Sequence, residues 1–150
     1  MLVGNAIKNE SYNVRGFNLE QDYDMLYKWW RLHNSFPPKR DQLSDCGLIV
    51  ERENNPICAG FLYSTDSSIC VFEFVVCDPT IDKEIRDKAL TKLIEEAQKW
   101  AAESLYSLIY TSVRGLKYIN RLKNAGFIEV DKEMTHMFYE VKEIKGVINE

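Results

Sequence analysis

Two stretches of the chain repeat apolar residues at the spacing of an α-helix. Residues 20–34 place Tyr23, Leu26 and Trp30 on one face and acidic residues in the first turn, where the helix dipole favours negative charge. Residues 83–103 carry a longer apolar stripe, while Lys, Glu and Asp fill the opposite face. The spacing therefore predicts an amphipathic helix over each stretch.

Other stretches of the first half have the alternating or continuous apolar pattern of β-strands. Residues 12–19 alternate, and a short helical turn is expected over 41–45, after a Pro-Pro pair. The runs 47–52, 57–64 and 69–77 then follow one another, separated by turns rich in Asn, Pro and Ser. This succession predicts an antiparallel meander, whose last strand is apolar nearly throughout and is expected to be central.

The second half alternates between the two kinds of pattern. A strand is predicted over residues 105–113 and a shorter helix over 115–124, which Gly126 can end with a left-handed cap. Two more strands are predicted over 127–130 and 135–141.

The predicted order, β α (α) β β β α β α β β, describes an α/β fold with a mixed central sheet. An antiparallel meander is followed by a β-α-β unit, whose crossover makes strands 69–77 and 105–113 parallel neighbours. A chain of 150 residues has the length of one domain. We expect a single domain over 1–150 with an ordered core over about 12–141, between a loose first ten residues and an exposed tail.

Charge and hydropathy limit the possible partners and locations. The 19 basic residues are scattered and outnumbered by 23 acidic ones, whereas nucleic-acid binding depends on clustered Lys and Arg. No apolar run approaches the roughly 20 residues of a membrane helix, and the N-terminus lacks a secretory apolar segment. We therefore expect a cytoplasmic protein that binds neither nucleic acid nor membrane.

The cysteines and histidines give no metal-ligand spacing. None of the four cysteines forms a Cys-x-x-Cys pair, and only two histidines accompany them. Three of the four cysteines lie in strand-like apolar runs, where Cys behaves as a small hydrophobe. We expect reduced, buried thiols, with no disulfide and no metal; the cysteines are Cys46, Cys58, Cys70 and Cys77.

The chain resembles the GNAT acetyltransferases over about residues 12–141, in element order and in three local features. An apolar strand leads to a proline at Val75-Val76-Cys77-Asp78-Pro79, and the long helix contains Ala89-Leu90. The short helix ends at Asn124-Ala125-Gly126-Phe127, similar to the Gly-Phe of the family. The chain is also similar to short phage-encoded GNAT-like proteins.

The resemblance implies an acetyl-CoA site in a gap between the fourth and fifth strands. Backbone groups of Val75 and Cys77 would pair with the pantetheine amides. The opening of the long helix would face the pyrophosphate, since a helix N-terminus attracts anions. The residues implied in that second contact are Lys83, Glu84, Ile85, Arg86, Asp87 and Lys88.

The sequence departs from the family in this loop, which usually has Arg or Gln, two residues, Gly, one residue, then Gly or Ala. Asp82 stands on the Arg/Gln position, and Lys83, Ile85 and Asp87 stand where glycine is frequent. Each adds a Cβ where the backbone must approach phosphate closely. The sequence therefore predicts a degenerate cofactor loop.

The implied catalytic positions are altered too. Leu122 occupies the place of the tyrosine that protonates the departing thiolate in many members, and Tyr118, one turn earlier, is the candidate substitute. Glu73 matches a general-base position, where an apolar strand would disfavour its charge; the alternative is a carboxylate paired with Lys or Arg, or one that lines a wet cleft. Trp30 and His33 could border an acceptor, although a Trp at helical spacing is more often core.

Two functions are compatible with these residues. The first is an acyl-CoA-dependent N-acetyltransferase that acts on an unknown small-molecule or peptide amine. The alternative is a catalytically inactive GNAT-fold protein that binds a protein partner or another ligand. Either could be a monomer or a homodimer.

Overall fold

The computed structural model describes residues 11–142, so the predictions for the first ten residues and for the tail beyond Lys142 lie outside it. The described part contains five β-strands, three α-helices and one short 3-10 helix. In chain order these are β1 (Tyr12–Gly16), α1 (Leu19–Leu32), the 3-10 helix (Arg40–Gln42), β2 (Cys46–Arg52), β3 (Asn55–Tyr63), β4 (Ile69–Cys77), α2 (Lys83–Glu103), β5 (Leu108–Tyr110) and α3 (Leu116–Asn124).

The strands form one sheet in the order β1-β2-β3-β4-β5. The first three pairings are antiparallel, and β4 pairs with β5 in parallel. The predicted meander and the parallel crossover through the long helix are both confirmed. Since that crossover spans one face of the sheet, α2 begins directly beyond the end of β4.

Each face of the sheet is covered by one long helix. The apolar stripe of α2 packs on one face, where the buried residues include Cys58, Leu62, Phe72, Ala89 and Leu93. The other face is covered by α1, with Leu26, Trp29, Trp30, Ile49 and Phe61 buried there. The central strands β3 and β4 are therefore buried on both sides, as the apolar run 69–77 predicted.

The first helix begins one residue earlier than its apolar pattern predicted, for a local reason. The side chain of Asn18 accepts a hydrogen bond from the backbone N–H of Gln21 (2.9 Å) and caps the helix. The helix takes up residue 19, and the predicted strand over 12–19 ends at Gly16, although the Phe17 N–H still donates to the Gly47 carbonyl (2.9 Å).

Two predicted strands, 127–130 and 135–141, are absent, which corrects the C-terminal part of the predicted fold. Gly126 adopts the expected left-handed conformation (φ 100°) and ends α3. The chain beyond it forms no strand within the described residues. Its apolar side chains are exposed, among them Met137 at 89%. Strand propensity alone does not make a strand, because the ladder needs a neighbouring edge.

Candidate active site

A β-bulge bends β4 near its middle. The register of β3 against β4 shifts between Ala59 and Phe61, so that β4 carries one extra residue opposite Gly60. Phe74 stands in this extra stretch with a left-handed backbone (φ 58°), which is rare for a bulky residue. Bulges of this kind bend a strand and increase its twist. The end of β4 is therefore bent relative to the first half of the strand, while it stays paired with β3.

The two strands β4 and β5 separate at this bend. The last ladder pair between them joins Val71 and Tyr110. Beyond it, the hydroxyl of Thr111 donates to the Phe72 carbonyl (2.5 Å), and the N–H of Ser112 donates to a carboxylate oxygen of Glu73 (3.0 Å). The second half of β4, residues 74–77, has no ladder with β5. Residues 74–77 of β4 therefore have no strand partner on the β5 side within the described residues, and we call this unpaired stretch the gap.

Backbone groups at the end of β4 face this gap. The N–H of Asp78 donates to the carbonyl of Ile57 (2.9 Å), which makes these two residues a hydrogen-bonded pair. Pair types alternate along an antiparallel ladder, so Cys77, opposite Cys58, directs its N–H and C=O away from β3. Val75 shares this orientation because backbone directions alternate along a strand. The Cys77 carbonyl accepts a hydrogen bond from His33 Nε2 (2.9 Å), and the Val75 groups and the Cys77 N–H are the ones that an extended ligand in the gap could pair with.

The N-terminus of α2 lies just beyond the gap. Asp82 occupies the N-cap position, but no side chain caps the helix there. The first-turn amides therefore keep the donor capacity that makes a helix N-terminus attractive to anions.

The side chains of the altered loop point in several directions. Ile85 packs against the core beside Ala89, so its bulk is directed towards the sheet. Asp87 is paired with Arg121 of α3 (2.9 Å) and lies near Lys83 (3.9 Å). Its negative charge is therefore offset by two cations.

Three of the predicted cofactor residues differ in their surroundings. Glu84 and Lys88 are exposed, and Lys88 borders a groove of about 390 Å³ beside Tyr12. Arg86 is half-buried, and its Nε has no hydrogen-bond partner within the described residues. Contact between these three residues and an anionic ligand remains a prediction from the sequence.

Cations gather where α3 crosses the start of α2. The ammonium groups of Lys83 and Lys117 are neighbours, and Lys83 lowers the pKa of Lys117 through direct contact and like charge. Both residues line a groove of about 570 Å³ between the two helices, together with Asn120 and Arg121. Like charges repel, so this arrangement favours an anion between them.

Tyr118 projects from α3 beside the end of β4. Its hydroxyl oxygen is buried and has no hydrogen-bond partner within the described residues. Burial is the main cause that raises the pKa of Tyr118 above its usual range, and the neighbouring Cys77, Cys58 and Glu73 add to it. The phenol therefore stays protonated and can donate to a group in the gap.

Glu73 stands on the other side of the bulge. Partial burial is the largest cause of its raised pKa, which the hydrogen bond from the Ser112 N–H and the proximity of His136 lower only in part. A raised carboxyl pKa is the direction that the apolar run predicted. A carboxylate whose proton affinity is increased in this way can act as a general base.

The two residues predicted for an acceptor site have different positions. Trp30 is only 2% exposed and packs against Phe61 and Phe74, so it supports the bulge and has no surface for an acceptor. His33 Nε2 donates to the carbonyl of Cys77 (2.9 Å) and its side chain is exposed. His33 therefore reaches the end of β4 and stays a candidate.

Three residues of the site were not found from the sequence. Phe74 gave no signal, because its left-handed backbone depends on the β3 register. Arg121 and Lys117 look like ordinary exposed helix residues, although their spacing on α3 places both on the face that crosses α2. Arg121 also donates to the carbonyl of Asp87 and to the hydroxyl of Thr91, and so fixes α3 against α2.

Other kinds of site have no structural support in residues 11–142. Within that range, no three His, Cys, Asp or Glu side chains come together as a metal site would require. No helix there has the length and apolar character needed to cross a membrane.

Comparison with known proteins defines the fold. No protein-family model matches the sequence, and no curated protein matches it. Solved structures do match. The ribosomal-protein-S18-alanine N-acetyltransferase from Escherichia coli aligns with a TM-score of 0.68 over 81% of this chain and 80% of that one, at 11% identity. The chain has the GNAT acetyltransferase fold.

Two more solved structures with this GNAT fold align with the present chain over nearly their whole length. Glucosamine-6-phosphate N-acetyltransferase from Arabidopsis thaliana aligns with a TM-score of 0.62 over 86% of this chain and 99% of that one, at 8% identity. Aminoglycoside N-acetyltransferase AAC(6')-Iy in complex with CoA aligns with a TM-score of 0.59, over 88% and 95% of the chains, at 16% identity. The GNAT architecture is thus shared without close sequence similarity.

Proposed function

We propose that this protein is an acyl-CoA-dependent N-acetyltransferase. The observation that carries the proposal is the unpaired end of β4 with the buried, unpartnered Tyr118 hydroxyl beside it. A buried donor without a partner is costly, and a ligand in the gap would relieve that cost. Two of the structural neighbours are N-acetyltransferases, which supports the same activity.

The donor would lie along the gap and reach the start of α2. Its pantetheine amides would pair with the backbone of Val75 and Cys77, in the manner of an added strand. Its pyrophosphate would meet the uncapped amides of α2 and the ammonium groups of Lys83 and Lys117. Side-chain cations and free amides would thus replace the contacts that glycines allow in the usual loop.

The transfer itself needs a base, a polarised carbonyl and an acid. Glu73, directly or through water, would take the proton from the acceptor amine as its nitrogen attacks the thioester carbon. Tyr118 would give its proton to the departing thiolate, since its phenol is protonated at neutral pH. A backbone N–H at the end of β4 would stabilise the developing oxyanion.

For the acceptor, we propose only a class of substrate. His33, exposed beside the end of β4, would border a small-molecule or peptide amine. The cytoplasmic location, the absence of nucleic-acid and membrane partners, and the likeness to phage-encoded proteins stay predictions from the sequence.

Calorimetry with acetyl-CoA tests the donor site. We expect binding that weakens about tenfold in the double variant Lys83→Ala/Lys117→Ala, and that weakens with added salt, because the pyrophosphate loses two cations. The control Lys99→Ala removes an exposed charge from α2, about 24 Å along the helix from Lys83, and should bind as the parent does. No binding by the parent at millimolar acetyl-CoA would reject the proposal.

The catalytically inactive alternative is decided by turnover. Acetyl transfer to a polyamine or to a peptide amine, followed by release of the CoA thiol, would contradict it. Binding of acetyl-CoA without transfer to any of these amines would favour it.

A further inference from the structure

Two of the four cysteines face each other across β3 and β4. Cys58 and Cys77 are register partners, next to the hydrogen-bonded pair of Ile57 and Asp78. They therefore form a non-hydrogen-bonded pair, in which Cα atoms lie about 4.5 Å apart and side chains are closest. Disulfides join Cα atoms about 4.4–6.8 Å apart, so a bond between these two cysteines fits the strand geometry.

The two thiols have unequal surroundings. Cys58 is fully buried, and the adjacent Cys77 thiol and burial raise its pKa. The adjacent Cys58 thiol is the main cause that lowers the pKa of Cys77. Burial opposes this effect, while the charges of Arg86 and Arg121 add to it. Cys77, which is partly exposed at the gap, is thus the first to form a thiolate.

The other two cysteines lack this arrangement. The register partner of Cys46 is Leu62, and that of Cys70 is Ile109. Neither faces a second thiol across the ladder. A reactive thiolate with a second thiol beside it is the arrangement that resolves a mixed disulfide.

We propose that Cys77 and Cys58 form a redox-active dithiol that small-molecule disulfides oxidise. The thiolate of Cys77 attacks one sulfur of the disulfide, which forms a mixed disulfide and releases one thiolate. Cys58 then attacks the sulfur of Cys77, forms the Cys58–Cys77 bond and releases the second thiolate, which takes the Cys58 proton. The two cysteines lose two electrons in total, and the small disulfide gains them.

Thiol counting after oxidation tests the pair. The reduced full-length protein is incubated with glutathione disulfide, its remaining thiols are alkylated, and the mass and the peptides are determined. We expect the parent to lose two alkylation sites and to yield a Cys58–Cys77 peptide. Cys58→Ser should instead accumulate one glutathione adduct on Cys77, and Cys77→Ser should form no internal bond.

Matched variants separate the pair from general thiol reactivity. Cys46→Ser should form the bond as the parent does. In the parent, Cys77 should react severalfold faster than Cys46, because the surroundings of Cys77 lower its thiol pKa and so raise its thiolate fraction near neutral pH. Preferential modification of Cys46, or failure of a folded Cys58→Ser variant to trap an adduct on Cys77, would overturn the proposal.

A second experiment, which rests on the proposed function, asks whether the oxidising small molecule is a CoA-type or a glutathione-type disulfide. Cys77 lies at the gap proposed for the acyl donor, so acetyl-CoA should slow the oxidation, and CoA disulfide should react faster than glutathione disulfide. If the two disulfides react at equal rates and acetyl-CoA gives no protection, while the Cys58–Cys77 bond still forms, the dithiol is supported. Only the proposed donor site is then contradicted.

Discussion

At the scale of single residues, the candidate site depends on which polar atoms are buried among apolar side chains. Leu122 is buried at the position where the resemblance implied a catalytic tyrosine, while Tyr118, one turn earlier, has its hydroxyl beside the gap. Helical spacing places both side chains on one face of α3. A proton donor at residue 118 would therefore lie on the same helix face as one at residue 122.

Replacing Tyr118 by Phe removes one hydroxyl and keeps the ring. We expect kcat to fall about 100-fold, because the departing thiolate loses its proton donor, and acetyl-CoA to bind less tightly, because its contact with the hydroxyl is lost. The free energy of unfolding should rise by about 1 kcal/mol, because a buried hydroxyl without a partner is removed. Steady-state kinetics and urea unfolding measure the two effects, with Tyr110→Phe, at an exposed site on β5, as control. A kcat equal to that of the parent would assign the acid role to another group.

Glu73 should make stability depend on pH. Its pKa in the folded protein lies above the usual value of 4.5, so the folded state binds the proton more tightly than the unfolded chain does. The free energy of unfolding therefore falls as pH rises from 4.5 through the raised pKa.

The variant Glu73→Gln keeps an acceptor for the Ser112 N–H and cannot ionise. We expect it to be more stable than the parent at neutral pH and to converge with the parent at acidic pH, as measured by urea unfolding over a pH series. A constant difference at all pH values would show that Glu73 is not the desolvated group.

At the scale of elements, the bulge in β4 opens the gap. Phe74 holds a left-handed backbone, and its ring packs edge-on against Trp30 and Tyr63. A Cβ on Gly60, opposite the bulge, would meet the Phe72 ring at 2.7 Å. Aromatic packing on one face and a glycine on the neighbouring strand thus hold a conformation that a phenylalanine alone would avoid.

Paired substitutions at Phe74 measure this strain. Both Phe74→Ala and Phe74→Gly lose the ring contacts, but glycine tolerates the left-handed backbone, so the Gly variant should be about 1 kcal/mol more stable than the Ala variant. At Val71, in regular strand, the order should reverse, because glycine weakens an extended strand. Urea unfolding of the four variants gives both differences. The same order at both sites would mean that Phe74 is not strained.

At the scale of the whole molecule, two complementary features are left without partners within residues 11–142. The outer edge of β5 pairs with no strand, and the segment 127–141 forms no helix or strand and exposes most of its apolar side chains. Its contacts with the rest of the chain include the Phe36–Phe138 ring pair and the ion pairs Lys39–Glu140 and Lys123–Glu129. An open edge and an exposed apolar segment on one chain can complete each other between two copies.

We therefore expect a homodimer in which the 127–141 segment of one copy adds to the β5 edge of the other. Light scattering coupled to size exclusion should give a dimer mass for the parent and a monomer mass for Met137→Ser/Tyr139→Ser. The control Leu105→Ser changes an equally exposed residue at the end of α2 and should remain dimeric. A parent that is monomeric at micromolar concentration would contradict this expectation.

The sequence by itself determined the elements whose signals are local. The stripe of α2 fixed its bounds at 83 and 103, the apolar run 69–77 gave the central strand, and Gly126 gave the helix end. These patterns are local because the 3.6-residue period, a buried run and a left-handed glycine each act within a few residues. The raised pKa of Glu73 followed from its apolar neighbours in the same way.

The tertiary structure decided what depends on residues far apart in the chain. The extra residue at Phe74 exists only against the register of β3, and the missing C-terminal strands show that pairing needs an available edge as well as propensity. The cations of α3 meet α2, and Cys58 meets Cys77, because the crossover and the meander bring them together. Distance in the sequence hides such contacts, since a side chain's neighbours across a sheet are set by register rather than by its own surroundings in the chain.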